Sequence, residues 1–284
     1  MSPRIRPRKS AHLGALLLAL VILAGTFAWF FEQPRRRRRA TETTTRLEGY
    51  VVHDGQYRVH HVPGPAPHPF SRAWLGEQLG PEFAHELSVI NLDGRPVTDQ
   101  DLVHLGGLTG LRRLYLNGTR IGDAGLPHLS GLTGLQKLEM RETRVGDAGM
   151  EHLVGMSRLE ELFLYETRVG DAGMKPLARL PGLRELSLGR TAVGDAGLAH
   201  LAGATQLRVL KLGGTRVTDA GLIHVRGLKN LEVLDLQDTD ISDAGLEHLA
   251  GMIELRLLFL DGTRVTEAGA RKLGQVLPGA RIAR

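Results

Sequence analysis

The sequence contains no cysteine, which excludes a disulfide scaffold, thiolate metal sites, iron–sulfur clusters and a cysteine nucleophile. It also lacks the short motifs G-x-x-x-x-G-K-[ST], H-E-x-x-H, G-x-S-x-G and G-x-G-x-x-G, which mark common nucleotide-binding and catalytic sites. We therefore predict that the protein is not an enzyme and binds no cofactor.

The formal net charge is +5, but the chain beyond its N-terminal segment is not basic. Residues 1–40 hold nine of the 36 Lys and Arg residues and one of the 31 acidic residues, so the remaining 244 residues carry a net charge of −3. Nucleic-acid binding depends on a basic stripe or patch. We expect no nucleic-acid partner.

Residues Leu13 to Phe31 contain no formal charge. A 19-residue helix that rises about 1.5 Å per residue nearly spans a hydrocarbon core of about 30 Å. The run predicts a single-pass N-terminal transmembrane helix, preceded by a short basic tail over residues 1–12. A signal peptide cleaved near Ala28 is the alternative. Basic residues flank the run on both sides, so the positive-inside rule leaves open which side of the membrane carries the rest of the chain.

The segment before the repeats fits no repeat itself. Residues 32–69 form a basic juxtamembrane and Pro-rich spacer, in which Asp54–Gly55 predicts a two-residue hairpin turn. Residues 70–86 carry large apolar side chains at helical spacing, which predicts a helical cap over the first repeat.

Residues 87–278 consist of eight repeats of 24 residues without an insertion or deletion. Six of them open with the L-x-x-L-x-L pattern, as in Leu207-Arg-Val-Leu-Lys-Leu, and the other two replace one leucine by Ile90 or Met140. The array resembles the leucine-rich-repeat family, in particular bacterial membrane-anchored members whose repeats read T-x-V-T-D-A-G-L-x-H-L. In this sequence Thr stands where the family usually has Asn. The resemblance implies an α/β fold, a leucine-rich-repeat solenoid with a parallel sheet and short helices.

The repeat positions support that fold physically. Leucines at the first, fourth and sixth places bury one side of a short strand, and Asp at the thirteenth place is expected to be the N-cap of the following helix. Strands lie about 4.8 Å apart and packed helices about 8–10 Å apart, so the stack must curve with the helices on its convex face. The crossover rule predicts a right-handed winding. Residues 279–284 look like a shortened ninth strand.

Two rows of polar residues recur in the array. Histidines occupy the eighteenth place of six repeats: His104, His128, His152, His200, His224 and His248. Because that place lies on helices about 8–10 Å apart, adjacent rings cannot share a metal ion, and we predict no metal site. Arginines occupy the tenth place of five repeats: Arg120, Arg144, Arg168, Arg216 and Arg264. We expect Glu142 and Glu166 to neutralise Arg144 and Arg168, which would make this row a salt-bridged rim.

The array contains four aromatic residues, all at outward places of the predicted strands: Tyr115, Phe163, Tyr165 and Phe259. Exposed aromatic rings surrounded by charge are typical of recognition surfaces. We predict a partner-binding patch on the concave face that comprises Tyr115, Phe163, Tyr165, Arg113, Lys137, Glu139, Arg141 and Glu161. The alternative is a surface without a binding role, because aromatic residues favour strands whether or not they bind a partner. Substitution of Phe163 or Tyr165 is expected to affect folding little, since both should lie outside the core.

These observations predict a membrane-tethered, non-catalytic interaction module that binds an unidentified protein through the concave face. The alternative is an envelope-associated structural protein that binds polysaccharide or anionic lipid head groups through the arginine rim. The oligomeric state stays open.

Overall fold

The computed structural model describes the backbone of residues 49–53 and 60–62 and the whole of residues 87–284. Among these residues no helix is long and apolar enough to cross a membrane. The predicted membrane anchor and the predicted helical cap both lie outside the described residues.

The repeats form a parallel sheet of nine short strands, one per 24 residues. The strands are β3 (Leu87–Asn91), β4 (Arg113–Tyr115), β5 (Lys137–Glu139), β6 (Glu161–Phe163), β7 (Glu185–Ser187), β8 (Val209–Lys211), β9 (Val233–Asp235), β10 (Leu257–Phe259) and β11 (Arg281–Ala283). Each residue faces the residue 24 positions along the chain, as Leu114 faces Leu138. The predicted parallel sheet is confirmed, and the end of the chain supplies the ninth strand.

A hairpin adds two strands at the N-terminal edge of this sheet. Strand β1 (Gly49–His53) pairs antiparallel with both β2 (His60–Val62) and β3. Val51 faces His60 in this hairpin. The predicted turn at Asp54–Gly55 lies outside the described residues and stays a prediction.

Short helices follow the strands on the other side of the core. The α-helices are α1 (Asp147–Met150), α2 (Asp171–Leu177), α3 (Asp195–His200), α4 (Asp219–Val225), α5 (Asp243–Leu246) and α6 (Glu267–Val276). Turns of 3-10 helix span Asp101–His104, Asp123–Leu129, Glu151–Leu153, Leu201–Gly203 and Glu247–Leu249. All six histidines of the predicted row lie on these helical segments. The right-handed winding stays a prediction from the crossover rule.

The core lies between sheet and helices and consists of the periodic aliphatic residues. In the first repeat Leu87, Ile90 and Leu92 are at most 1% exposed. At the ninth place of each later repeat, the Thr hydroxyl donates a hydrogen bond of 2.5–2.7 Å to the carbonyl three residues earlier. The threonine therefore closes the turn after its own strand and makes no ladder between repeats.

The aspartates at the thirteenth place differ from their predicted role. Asp147 is the first residue of α1, and Gly146 occupies the N-cap. Its Oδ1 accepts the backbone N–H of Gly170 in the next repeat at 2.6 Å and that of Gly173 at 3.0 Å. Every thirteenth-place aspartate from Asp99 to Asp243 bonds the next repeat in this way, at 2.6–2.8 Å. The aspartates form a ladder that joins neighbouring repeats and do not cap their own helices.

The eighth place of every repeat has a left-handed backbone conformation. Four of these residues are glycine and four are not: Gly94, Gly118, Glu142, Glu166, Arg190, Gly214, Asp238 and Gly262. Their φ angles lie between 52° and 72°. Glycine adopts this conformation without a steric penalty, whereas a residue with a Cβ atom adopts it at a steric cost.

Candidate interaction surface on the outer sheet face

The eight predicted site residues lie together on the solvent side of three neighbouring strands. In the register of β4, β5 and β6, Arg113, Lys137 and Glu161 form one row across the sheet. Tyr115, Glu139 and Phe163 form the next row, and Arg141 and Tyr165 follow two residues later on their chains. We call these eight residues the sheet-face cluster. Phe259 lies on β10, four strands from Phe163, and is not part of this cluster.

Phe163 is buried beneath cationic side chains. Lys137 Nζ lies 4.6 Å, Arg141 Cζ 4.5 Å and Lys211 Nζ 5.6 Å from the ring centroid. The residue is 4% exposed. A cation over an aromatic face gains about 0.5–2 kcal/mol, depending on its exposure to water. The expectation that Phe163 is exposed and outside the buried part of the protein is wrong, because the long side chains of Lys137, Arg141 and Lys211 cover its ring.

The cations above Phe163 are held by carboxylates. Lys137 Nζ lies 2.6 Å from Glu161 and 3.2 Å from Glu139, and Arg141 lies 3.7 Å from Glu139. Glu139 is 7% exposed and also accepts a hydrogen bond from the Asn117 amide at 2.8 Å. Burial lowers the pKa of Lys137, but the hydrogen bond to Glu161 and the charges of Glu139 and Glu161 outweigh it, so that its pKa is raised. The cluster therefore presents fixed charges to solvent.

The two tyrosines are half-buried and keep their phenol groups neutral. Burial raises the pKa of Tyr115, and burial together with the charge of Glu166 raises that of Tyr165. The Tyr165 ring lies on the backbone of Gly189, where an added Cβ atom would be 2.8 Å from its Cδ2. Arg190 stacks 5.7 Å from the ring centroid and pairs with Glu166 at 2.9 Å. The Tyr165 ring thus lies between the backbone of Gly189 and the side chain of Arg190.

Three of these neighbours do not belong to the predicted patch: Glu166, Gly189 and Arg190. A signal for the ion pair is present in the sequence, because Glu166 and Arg190 are opposite charges separated by one repeat. The importance of Gly189 follows only from its contact with Tyr165. Lys211 reaches Phe163 from two strands away and pairs with Glu185 at 2.7 Å.

The arginine row differs from its expectation. Arg144 and Arg168 form no ion pair with any residue of 87–284, and Glu166 pairs with Arg190 instead. The buried Thr167 closes a turn between Glu166 and Arg168. The Glu166 carboxylate therefore lies beside Arg190 of the next repeat and not beside Arg168. The expected neutralisation of these two arginines is wrong.

The comparisons with known proteins agree with this fold. Residues 227–250 match the family model described as Leucine Rich repeat. The structure of internalin C2 from Listeria monocytogenes aligns with a TM-score of 0.60 at 24% identity, over 70% of this chain and 81% of the internalin. No curated protein sequence matches the chain.

Two further solved structures align less closely. The ectodomain of the plant receptor kinase GASSHO1/SCHENGEN3 from Arabidopsis thaliana, solved with CASPARIAN STRIP INTEGRITY FACTOR 2, has a TM-score of 0.48 and 19% identity over 64% of this chain and 25% of its own. A leucine-rich-repeat protein of Leptospira interrogans has a TM-score of 0.46 and 14% identity over 70% of this chain and 61% of its own. The eight in-register repeats and the parallel sheet give the chain the fold of leucine-rich-repeat proteins, and one of those repeats matches the family model.

Proposed function

We propose that the protein is a non-catalytic interaction module that binds a protein partner through the sheet-face cluster. The observation that carries the proposal is that each tyrosine lies beside a cation held by carboxylates. Lys137, held by Glu139 and Glu161, lies beside Tyr115. Arg190, held by Glu166, lies beside Tyr165. Tyr and Arg are enriched among the residues that dominate binding energies. Side chains that are already fixed lose less conformational freedom on binding, which favours affinity.

Because Phe163 is buried, we expect it to position other residues of the cluster and not to contact the partner itself. At 4% exposure it offers almost no area to a partner, and its ring positions Lys137 and Arg141. The contact residues are then the half-buried tyrosines together with Arg113, which is exposed. Loss of Phe163 should weaken binding by displacing the cations above it, whereas loss of Tyr165 removes a contact.

Photo-crosslinking in the native cells tests this proposal. A photoreactive residue at Arg113 should capture one protein, and the same residue at Ile223, which is exposed on α4, should not. Capture of the same protein from both places with equal yield would contradict the proposal.

Binding of the captured partner then ranks the residues. Tyr165→Ala should weaken it by about 2 kcal/mol, roughly thirtyfold, as expected of an interface anchor. The control Arg216→Ala, away from the cluster, should have a small effect. A larger loss for Arg216→Ala would exclude the sheet-face cluster as the main contact.

We also propose that Leu13 to Phe31 tether the array to a membrane. Its support is the 19-residue uncharged run and the aromatic residues at its end. Membrane fractions should release the full chain only with detergent, and a variant that lacks residues 1–31 should be released without it. A mature protein that begins near Trp29 would show a cleaved signal peptide instead.

A further inference from the structure

A row of apolar side chains crosses the outer face of the sheet beyond the sheet-face cluster. Val209, Val233 and Leu257 face one another on β8, β9 and β10. Each occupies the third place of its repeat and is half-buried on the side of the sheet away from the core. The same place is charged on the strands at both ends of the row, with Glu185 on β7 and Arg281 on β11. We call the three aliphatic residues the apolar row.

The stack of repeats does not require apolar residues at this place. Strands β4 to β7 carry charged residues there and pair in the same register. The core contact of β8, β9 and β10 is made by the next residue on each strand, and these are the fully buried Leu210, Leu234 and Leu258. Phe259, half-buried on β10, extends the apolar surface on the outer face. A contiguous apolar surface with a polar rim is typical of interaction sites.

The cations along the sides of the apolar row are paired with acids of the same chain. On one side Glu232 lies 3.0 Å from Arg208 and 3.9 Å from Arg256. On the other side Lys211 lies 2.7 Å from Glu185. These cations are therefore already neutralised.

Three aspartates beside the row have no such partner. Asp235 lies at the end of β9, and Asp238 and Asp261 lie in the turns after β9 and β10. None of them forms an ion pair with any residue between 87 and 284. Gln237 joins two of them, because its backbone N–H donates to Asp235 at 3.0 Å and its side-chain amide donates to Asp261 at 2.8 Å. Burial and the charges of Asp238 and Asp261 raise the pKa of Asp235, against the hydrogen bond from Gln237 and the charge of Lys211. We call the three aspartates the acidic flank.

We propose that the apolar row and the acidic flank bind a segment of the protein partner in which apolar side chains stand beside lysine or arginine. The inference rests on the proposed function, since it takes the partner to be a protein. Apolar side chains of the segment cover the row, and its cations pair with acids that the chain leaves without a counterion. The acidic flank repels the phosphates of nucleic acids and anionic lipids, and a neutral sugar offers no cation. The row begins two strands beyond β6, about 10 Å away, so one partner can contact both this surface and the sheet-face cluster.

Binding of the full chain, kept in a neutral detergent, to immobilised synthetic peptides tests the inference. In the first peptide leucines alternate with lysines. In two matched peptides of the same length, glutamate replaces every lysine or serine replaces every leucine. The leucine–lysine peptide should bind at least about tenfold more strongly than either matched peptide, and its binding should weaken as salt rises. Equal or stronger binding of either matched peptide would overturn the inference.

Two matched variants test the contribution of the acidic flank. D238N/D261N removes two exposed charges and should weaken binding of the leucine–lysine peptide at least about fivefold. The control E151Q/E254Q removes two exposed acids outside the sheet face and should stay within about twofold of the wild type. An equal loss in both would show a response to net charge alone and would overturn the inference. If the double variant melts early, D238N carries the test, because the Asp238 side chain is exposed and accepts no hydrogen bond within the described part of the chain.

The apolar row has its own matched pair of variants. Val233→Thr keeps the shape of the side chain but brings a hydroxyl group into the contact, and it should weaken peptide binding at least about fivefold. Val89→Thr changes the same place of the first repeat, also half-buried, on a strand six positions away, and it should bind like the wild type. Equal binding of the two variants would exclude the apolar row as the contact.

The variant Tyr165→Ala separates this inference from the proposed function. It should bind the leucine–lysine peptide like the wild type, because Tyr165 belongs to the sheet-face cluster and not to the apolar row. A loss of peptide binding in Tyr165→Ala equal to that in Val233→Thr would place the peptide on the cluster and overturn the inference. If the peptide does not bind at all while Tyr165→Ala still weakens binding of the captured partner, this inference fails and the proposed function stands.

Discussion

The strand-to-helix side of the repeats and the outer face of the sheet share the 24-residue period but use it differently. On the first, the same residue makes the same bond in each repeat, as Asp147 does with Gly170 and Asp171 with Gly194. On the sheet face, the residues one repeat apart differ, and each contact forms only once, as between Lys137 and Glu161. The repeated bonds stabilise the stack, whereas the unique contacts give the surface its specificity. Substitutions on the two sides should therefore separate stability from binding.

The largest effect on stability is expected for Asp147→Ala. The Asp147 carboxylate accepts the N–H groups of Gly170 and Gly173, both of which are buried. A buried N–H group without a partner costs about 1–3 kcal/mol, so the free energy of unfolding should fall by about 3 kcal/mol or more. Equilibrium unfolding in urea measures this loss. The matched variant Asp147→Asn keeps an acceptor oxygen and should lose less, and equal midpoints for wild type and Asp147→Ala would refute the structural role of the ladder.

Phe163→Ala is an exception to the separation of stability from binding, because Phe163 lies on the sheet face but is as buried as a core residue. Full burial of a Phe side chain contributes about 1.5–3 kcal/mol, and we expect a destabilisation of about 2 kcal/mol in the same urea experiment. Phe163→Leu retains most of the apolar volume and removes only the ring beneath Lys137 and Arg141, so it should be intermediate. Tyr165→Ala, at a half-buried site, should cost less than either. An unfolding midpoint for Phe163→Ala that matches the wild type would restore the original expectation of an exposed ring.

The periodic part of this structure could be predicted from sequence, and the contacts between unlike residues could not. Leucine spacing fixes the strands and the core, because eight repeats must bury the same places. The partner of Asp147 was missed because the local signal for an N-cap is satisfied by position alone, whereas the bond crosses to the next repeat. The burial of Phe163 depends on the conformations of Lys137, Arg141 and Lys211, which come from two other repeats. No pattern within a single repeat contains that information.

The left-handed turn at the eighth place predicts a smaller, purely conformational effect. Gly118 has a φ of 65°, and a Cβ atom there would meet no atom closer than 3.7 Å. Gly118→Ala should therefore lower the free energy of unfolding by about 1–2 kcal/mol through backbone strain alone. Gly107→Ala is the matched control, because its added Cβ atom has open space and its φ is not left-handed. If both variants unfold alike, the turn imposes no cost on a side chain.

The smallest effect on stability is expected for Arg190→Ala, at the edge of the sheet-face cluster. Its ion pair with Glu166 joins side chains that are 61% and 38% exposed, and exposed pairs contribute about 0–1 kcal/mol. The urea midpoint should therefore stay close to that of the wild type. Binding should respond more than stability, since Arg190 covers one side of the Tyr165 ring and its loss frees that ring to move. We expect a reduction in partner affinity between those of Arg216→Ala and Tyr165→Ala. A variant that loses stability but binds the partner normally would show that Arg190 belongs to the frame of the stack and not to the recognition surface.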